Sequence, residues 1–150
     1  MTTHAESRLL PYTADVMYAV VADVEKYPEF LPWCAALRIL SKERVKGSDV
    51  LRAEMLVGFG ALRERYTSRV VLDGAAHTVD VAQTDGPFRQ LESHWRFTPE
   101  GEGCRVEFSI AFEFRSRLLD AVAGRAFEHA VLKMADAFEA RARALSSQEL

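Results

Sequence analysis

Two cysteines in 150 residues, Cys34 and Cys104, stand far apart with no CxxC spacing. That excludes a structural zinc site built from them and a disulfide scaffold; with no secretory leader ahead of them, a reducing cytoplasmic setting is expected. No run approaches the roughly 18 apolar residues of a membrane span, so contact with lipid is expected to be peripheral. Lys and Arg are interleaved with Asp and Glu, and the net charge of −3 carries no basic cluster of the kind DNA binding needs. Glycine-rich phosphate loops and metal-ligand clusters are also missing, so neither a nucleotide cofactor nor a catalytic metal is expected. What is present is ordinary globular composition, 49% hydrophobic and 27% charged, enough for one domain over residues 1–150 with a real core.

The most regular stretch runs from Arg117 to about Leu145. Leu119, Ala123, Ala126, Phe127, Ala130, Val131, Met134, Ala137, Phe138 and Leu145 recur at spacings of three, four and seven and form one apolar face. Arg125, Glu128, His129, Asp136, Glu139 and Arg143 fall on the opposite face. Ser116 is the expected N-cap, and Asp120 favours the first turn. At ~1.5 Å per residue this helix is roughly 40 Å long, which only a broad sheet can cover.

Upstream, Ala5–Pro11 reads as a strand that carries Leu9 or Leu10 inward. Thr13 caps a short helix to Ala22 whose stripe is Val16, Ala19 and Val20, alongside Tyr18 or Met17, and a shorter helical piece follows Asp23. The segment Tyr27-Pro28-Glu29-Phe30-Leu31-Pro32-Trp33-Cys34 then places three aromatics on a loop held by two prolines. Six strands follow, with turns at Lys46–Asp49, Gly58–Gly60, Asp73-Gly74, Asp85–Pro87 and Pro99–Gly103. Period-two alternation points Ala53, Met55, Val57 and Phe59 inward, then Tyr66, Val70 and Leu72, Val79 and Val81, Leu91, Trp95 and Phe97. The last strand sends Val106, Phe108, Ile110, Phe112 and Phe114 the same way. Arg63, Arg65 and Arg69 point outward, where Glu54 and Glu92 are available as cross-strand ion partners.

This order predicts an α+β fold in which a curved antiparallel sheet of six to seven strands wraps a long C-terminal helix, with two short helices after the first strand. Any gap between sheet and helix would be apolar, lined by Phe, Met, Trp and Val. Gly124 marks either close approach of the sheet, room for a ligand or nothing beyond packing.

Three segments carry a family resemblance: Tyr27 to Cys34; Asp85-Gly86-Pro87-Phe88-Arg89-Gln90-Leu91 with Trp95 and Phe97; and Cys104 to Phe108 leading to Phe112-Glu113-Phe114. Over nearly the whole chain the sequence resembles the coenzyme-Q-binding START-domain proteins, which are related to polyketide cyclase-like proteins and to ribosome-association toxins. The resemblance implies a helix-grip fold with a hydrophobic cavity and binding of ubiquinone as a ligand rather than a catalytic cofactor. It also implies support of respiration and ubiquinone biosynthesis, transient contact with the inner membrane from the cytoplasmic side, and partners among proteins of those processes.

A prenylated quinone needs an apolar channel and one or two donors for its carbonyl oxygens. Tyr66 and Ser93 supply inward hydroxyls, with Glu64, Ser68 and Gln83 on the same parities nearer strand ends; the alternative for Tyr66 is a hydroxyl bonded to backbone. Candidate walls are Met55, Val57, Phe59, Phe88, Leu91, Trp95, Phe112 and Phe114 from the sheet and Leu119, Ala123, Phe127 and Val131 from the helix. Phe30, Leu31 and Trp33, with Tyr27 and Phe88, form a lid, a membrane-contacting toe or plain anchors folded back on the domain. An enzyme reading needs a cavity acid or base. His4, His77, His94 and His129 all read as surface residues, and Glu64 beside Tyr66 is the only pairing that can be built. A ribosome-binding protein is the alternative of a different class.

Overall fold

A computed structural model describes residues 1–148; the last two positions of the 1–150 span lie outside the described residues. In chain order the elements are β1 (Thr2–Leu10), α1 (Ala14–Ala22), a 3₁₀ turn (Val24–Glu29), β2 (Cys34–Val45), β3 (Ser48–Phe59), β4 (Leu62–Asp73), β5 (Thr78–Asp85), β6 (Phe88–Glu100), β7 (Gly103–Phe114) and α2 (Arg117–Gln148). The strands form one curved antiparallel sheet in the order β1-β7-β6-β5-β4-β3-β2, so β1 closes on the last strand and β1 and β2 are the edges. Its concave face grips α2, which is the predicted architecture.

Each hairpin has a local cause. Lys46 and Gly47 both adopt positive φ (51° and 84°), the backbone that a two-residue turn between right-twisted strands requires. Gly60 turns β3 into β4 at φ 61°, and a Cβ there would lie 3.0 Å from the Val122 carbonyl oxygen, so this hairpin tip rests on α2. Register shifts after Cys34, Ile39, Thr67 and Phe88 insert residues into one strand of a pair and bend the sheet around the helix.

The helix caps are those expected. Thr13 Oγ1 accepts from Val16 N at 3.2 Å, and Ser116 Oγ accepts from Leu119 N at 3.1 Å. The stripe of α1 is rotated from the predicted one: Ala14, Met17, Val20 and Val21 are buried, while Val16 and Ala19 are exposed. Because α1 is apolar nearly all round, periodicity had no polar face to orient it; contact with α2, β5 and β6 decides.

Strand β1 begins three residues before the predicted start and buries Leu10, leaving Leu9 exposed. Its early inward positions are polar, which hides the alternation. Arg8 donates to Asp136 at 2.9 Å, Glu139 at 3.1 Å and Glu6 at 2.7 Å, and so ties the edge strand to α2. Asp136 and Glu139 therefore belong to this network rather than facing water alone. At Gly124 the nearest group to an added Cβ is the Asp120 carboxylate of the same helix, at 2.6 Å, and the residue borders an open surface depression rather than the space between helix and sheet.

Candidate functional site

The inward side chains do not fill the whole space between sheet and helix. A cavity of about 90 Å³ lies between α2, the inner face of β3 to β7 and the segment after the 3₁₀ turn. Leu31, Trp33 and Tyr27 form one wall; Met55, Phe59 and Tyr66 come from β3 and β4; Val81, Leu91, Ser93, Trp95 and Ile110 form the floor; Phe127, Met134 and Phe138 descend from α2. A larger depression of about 760 Å³ crosses the outer face of the sheet near Ser7, Thr78, His94 and Ser109. It is open and of mixed polarity, whereas nine of the seventeen residues that sequence reasoning assembled meet in the smaller, internal space.

Of the predicted wall, Leu31, Trp33, Met55, Phe59, Tyr66, Leu91, Ser93, Trp95 and Phe127 line this cavity. Phe30, Val57, Phe88, Phe112, Phe114, Leu119, Ala123 and Val131 do not. Phe88, Phe112 and Phe114 instead surround Phe127 with ring centroids at 4.9, 4.6 and 5.8 Å, and Phe59 joins them at 4.9 Å. That end of the helix–sheet space is solid aromatic packing of the edge-to-face and tilted kind rings prefer. Val57, Ala123 and Val131 are buried in the core and Leu119 is half-buried at its margin. Val81, Ile110, Met134 and Phe138 are cavity residues that the sequence reading left out of the site, and Tyr27, read there only as a loop aromatic beside Phe30, is a fifth. All but Tyr27 had been assigned inward, but parity alone cannot say where along a strand or helix the void falls.

Three hydroxyls reach this wall. Tyr27 donates to the carbonyl oxygen of Val21 and is spent on backbone. Among the described residues Tyr66 has no backbone partner: its hydroxyl contacts the thioether Sδ of Met55, directly across the β3–β4 ladder, at 3.6 Å. A thioether is a weak acceptor, so this phenol keeps most of its capacity to donate. Ser93 supplies the third hydroxyl, between Val81 and Ile110 on the neighbouring strands. Burial pushes both phenols above their ordinary range, and burial raises the Cys34 thiol to about 11, so these groups are neutral at physiological pH.

Gly86 allows this arrangement, because a Cβ there would lie 2.4 Å from Tyr66 Cβ. Gln83, a predicted inward polar group, is used structurally. Its amide donates to the Phe88 carbonyl at 2.8 Å and accepts from Phe88 N at 3.1 Å, which clamps the β5–β6 turn beneath Tyr66. Glu64 is half-buried opposite Val57 and does not line the cavity. The histidines also lie elsewhere: His77 and His94 contact Asp15 and Asp80, each at 2.6 Å, His4 sits edge-on to Phe108 and His129 is exposed.

The loop aromatics are folded onto α2. Tyr27 and Phe30 both meet Phe138 edge-on, at 5.2 and 5.4 Å. The Arg141 guanidinium lies 5.1 Å from the Phe30 ring centroid and donates to Glu29 at 3.1 Å. Leu31 is buried and Trp33 half-buried, with the Trp33 carbonyl accepting from Gly58 N at 3.0 Å. Among the described residues, the large exposed apolar side chains of α2 are Leu118, Val122 and Leu132, on its outer face. No described helix is long and apolar enough to cross a membrane.

A cavity between a curved sheet and a C-terminal helix is what a lipid or polyketide site requires, and the sequence matches accordingly. The family model described as polyketide cyclase / dehydrase and lipid transport matches residues 10–139. The chain belongs to this family. It is 38% identical over 147 residues to the ribosome association toxin RatA of Pseudomonas aeruginosa, covering 97% of this chain and 99% of that one. Over 144 residues it is also 38% identical to coenzyme Q-binding protein COQ10 homolog B, mitochondrial, of Xenopus laevis, covering 93% of this chain and 57% of that protein. Among solved structures, the 18 kDa protein CC1736 from Caulobacter crescentus is 41% identical with a TM-score of 0.79, covering 98% and 99% of the two chains. A START superfamily protein at 19% identity and a TM-score of 0.74 shares the helix-grip fold, and at that identity the likeness shows the fold alone.

Proposed function

We propose that this member of the family binds ubiquinone or a related prenylated lipid between α2 and the sheet and carries it without transforming it, supporting respiration and ubiquinone biosynthesis. The observation that carries this reading is the Tyr66 hydroxyl, held in an apolar wall where, among the described residues, only the Met55 thioether receives its proton. Such a donor costs little to redirect and is suited to a ligand carbonyl oxygen, while Leu31, Trp33, Met134 and Phe138 suit the isoprenoid. The likeness to a protein named for coenzyme Q binding supports it. At about 90 Å³ the space is well below the roughly 300 Å³ where small-molecule sites begin, so loading requires the Tyr27–Trp33 segment to swing off α2. The non-enzymatic part of the reading rests on the lining residues, whose titratable groups are phenols held neutral far above pH 7 and poor bases.

Both tryptophans, Trp33 and Trp95, line the cavity, and this provides the test. Titration with ubiquinone should quench their fluorescence saturably at one equivalent, and solvent extraction of the purified protein should release a quinone identified by mass. Absence of both results would refute the reading. A second reading, association with the large ribosomal subunit, is supported by the full-length likeness to the protein named ribosome association toxin. Salt-sensitive co-sedimentation with purified large subunits tests it.

A further inference from the structure

The outer, convex face of the sheet departs from the ion-paired surface that its sequence suggests. Arg38 on β2, Arg52 on β3, and Arg63, Arg65 and Arg69 on β4 all project from it, and all five are exposed. Glu54 alone among the described residues pairs with them, at 3.0 Å to Arg38 and 3.6 Å to Arg65. Glu92 lies on β6 opposite Ala82 and Ala111, out of reach. Arg63 lies across Gly58 and donates only to the carbonyls of Gly60 and Leu62. Arg52 and Arg69 are direct cross-strand partners, a like-charge juxtaposition that disfavours the sheet and that no described carboxylate relieves. Glu43, Asp80 and Asp85 stand at the margins, Asp80 engaged by His94. In a chain of net charge −3, positive charge is thus concentrated on three adjacent strands.

The composition of the face narrows its partner. Planar guanidinium groups at strand spacings of about 5 Å across and about 7 Å along match closely spaced phosphate oxygens, which they bind bidentately. No aromatic side chain projects among them to stack bases, so contact would be to backbone and insensitive to sequence. Of the large exposed apolar side chains, Leu118, Val122 and Leu132 lie on α2, on the other side of the sheet, and β2 contributes only Leu40 and Val45, at 38% and 41% exposure, beside the arginines. We propose that the convex face of β2, β3 and β4 docks the phosphate backbone of structured RNA. The proposal rests on the ribosome-association reading and is independent of the cavity.

The test uses the full chain and a fluorescent 20-base-pair RNA duplex of mixed sequence, followed by anisotropy. With about four phosphates neutralised, affinity should fall roughly a hundredfold between 50 and 200 mM salt. The double variant Arg52→Gln/Arg69→Gln should bind at least tenfold more weakly, with a shallower salt dependence and an unchanged or higher urea midpoint. Arg115→Gln/Arg117→Gln, away from this face, should bind as the parent does. Equal RNA binding by parent and Arg52/Arg69 variant overturns the proposal, as does salt-insensitive binding. Binding only to phosphatidylserine vesicles would overturn it in favour of a membrane. Should parent and variant co-sediment equally with large ribosomal subunits, the face is wrong while ribosome association stands. Duplex binding lost in the variant, with no co-sedimentation of either protein, keeps the face and removes the ribosome.

Discussion

Ser93→Leu is the most informative single change, because it fills the cavity while leaving every ring of the aromatic cluster beside it in place. Empty core volume costs roughly 24 cal/mol per Å³, so a void of about 90 Å³ corresponds to about 2 kcal/mol of stability forgone. A leucine at position 93, flanked by Val81 and Ile110 on adjacent strands, would place its branched end in that void. Recovery of about 1 kcal/mol is expected, since filling is never ideal, and for a chain of this size that raises Tm by roughly 2–4 °C. Quinone binding, read as tryptophan quenching, should fall at least tenfold. Ser93→Ala is the control: it removes the hydroxyl without adding bulk, and should retain most of the binding. A Ser93→Leu protein that is more stable and still binds ubiquinone normally would place the ligand elsewhere. One destabilised by more than about 1 kcal/mol would show that the cavity is not space a side chain can occupy.

Tyr66→Phe removes the proposed carbonyl donor and only a thioether contact, so its urea midpoint should barely move while quinone affinity falls roughly two- to tenfold, the worth of one hydrogen bond. Phe127→Ala empties the centre of four rings and should cost about 3–5 kcal/mol by urea titration; a loss under 1 kcal/mol would mean that the cluster recloses. Arg141→Met releases Glu29 and the face of Phe30, so stopped-flow quenching by ubiquinone should speed up severalfold; an unchanged rate argues against the Tyr27–Trp33 segment as the gate. Alkaline pH should weaken the fold. Burial raises the Cys34 thiol from 9.0 to about 11 and raises the Tyr27 and Tyr66 phenols, so folding favours their neutral forms. That contribution is complete below the unfolded values and lost as pH rises through the folded ones. The urea midpoint should stay level to about pH 9 and then fall; a rise over that range would contradict the assignment.

The order of elements was legible because each has a local cause written in few residues. Thr13 and Ser116 cap helices whatever surrounds them, the alternation from Val106 to Phe114 reports one buried face, and Lys46-Gly47 supplies the positive φ of its hairpin. From these came the curved sheet, the gripped helix and the inward side of every strand from β3 to β7.

Tertiary structure alone decided where along those faces space is left. Phe112 and Phe114 share the parity of Ile110, and the register shift after Phe88 turns that ring to the face of Leu91 and Trp95, yet Phe88, Phe112 and Phe114 close around Phe127 while the others border the cavity, because register shifts and sheet curvature set the distance to the helix. The outward arginines make the same point. Strand parity placed them outside, but only the pairing register put Arg52 against Arg69 and left Glu92 two strands from β4, for ion pairs form between neighbours in space and sequence spacing does not specify them.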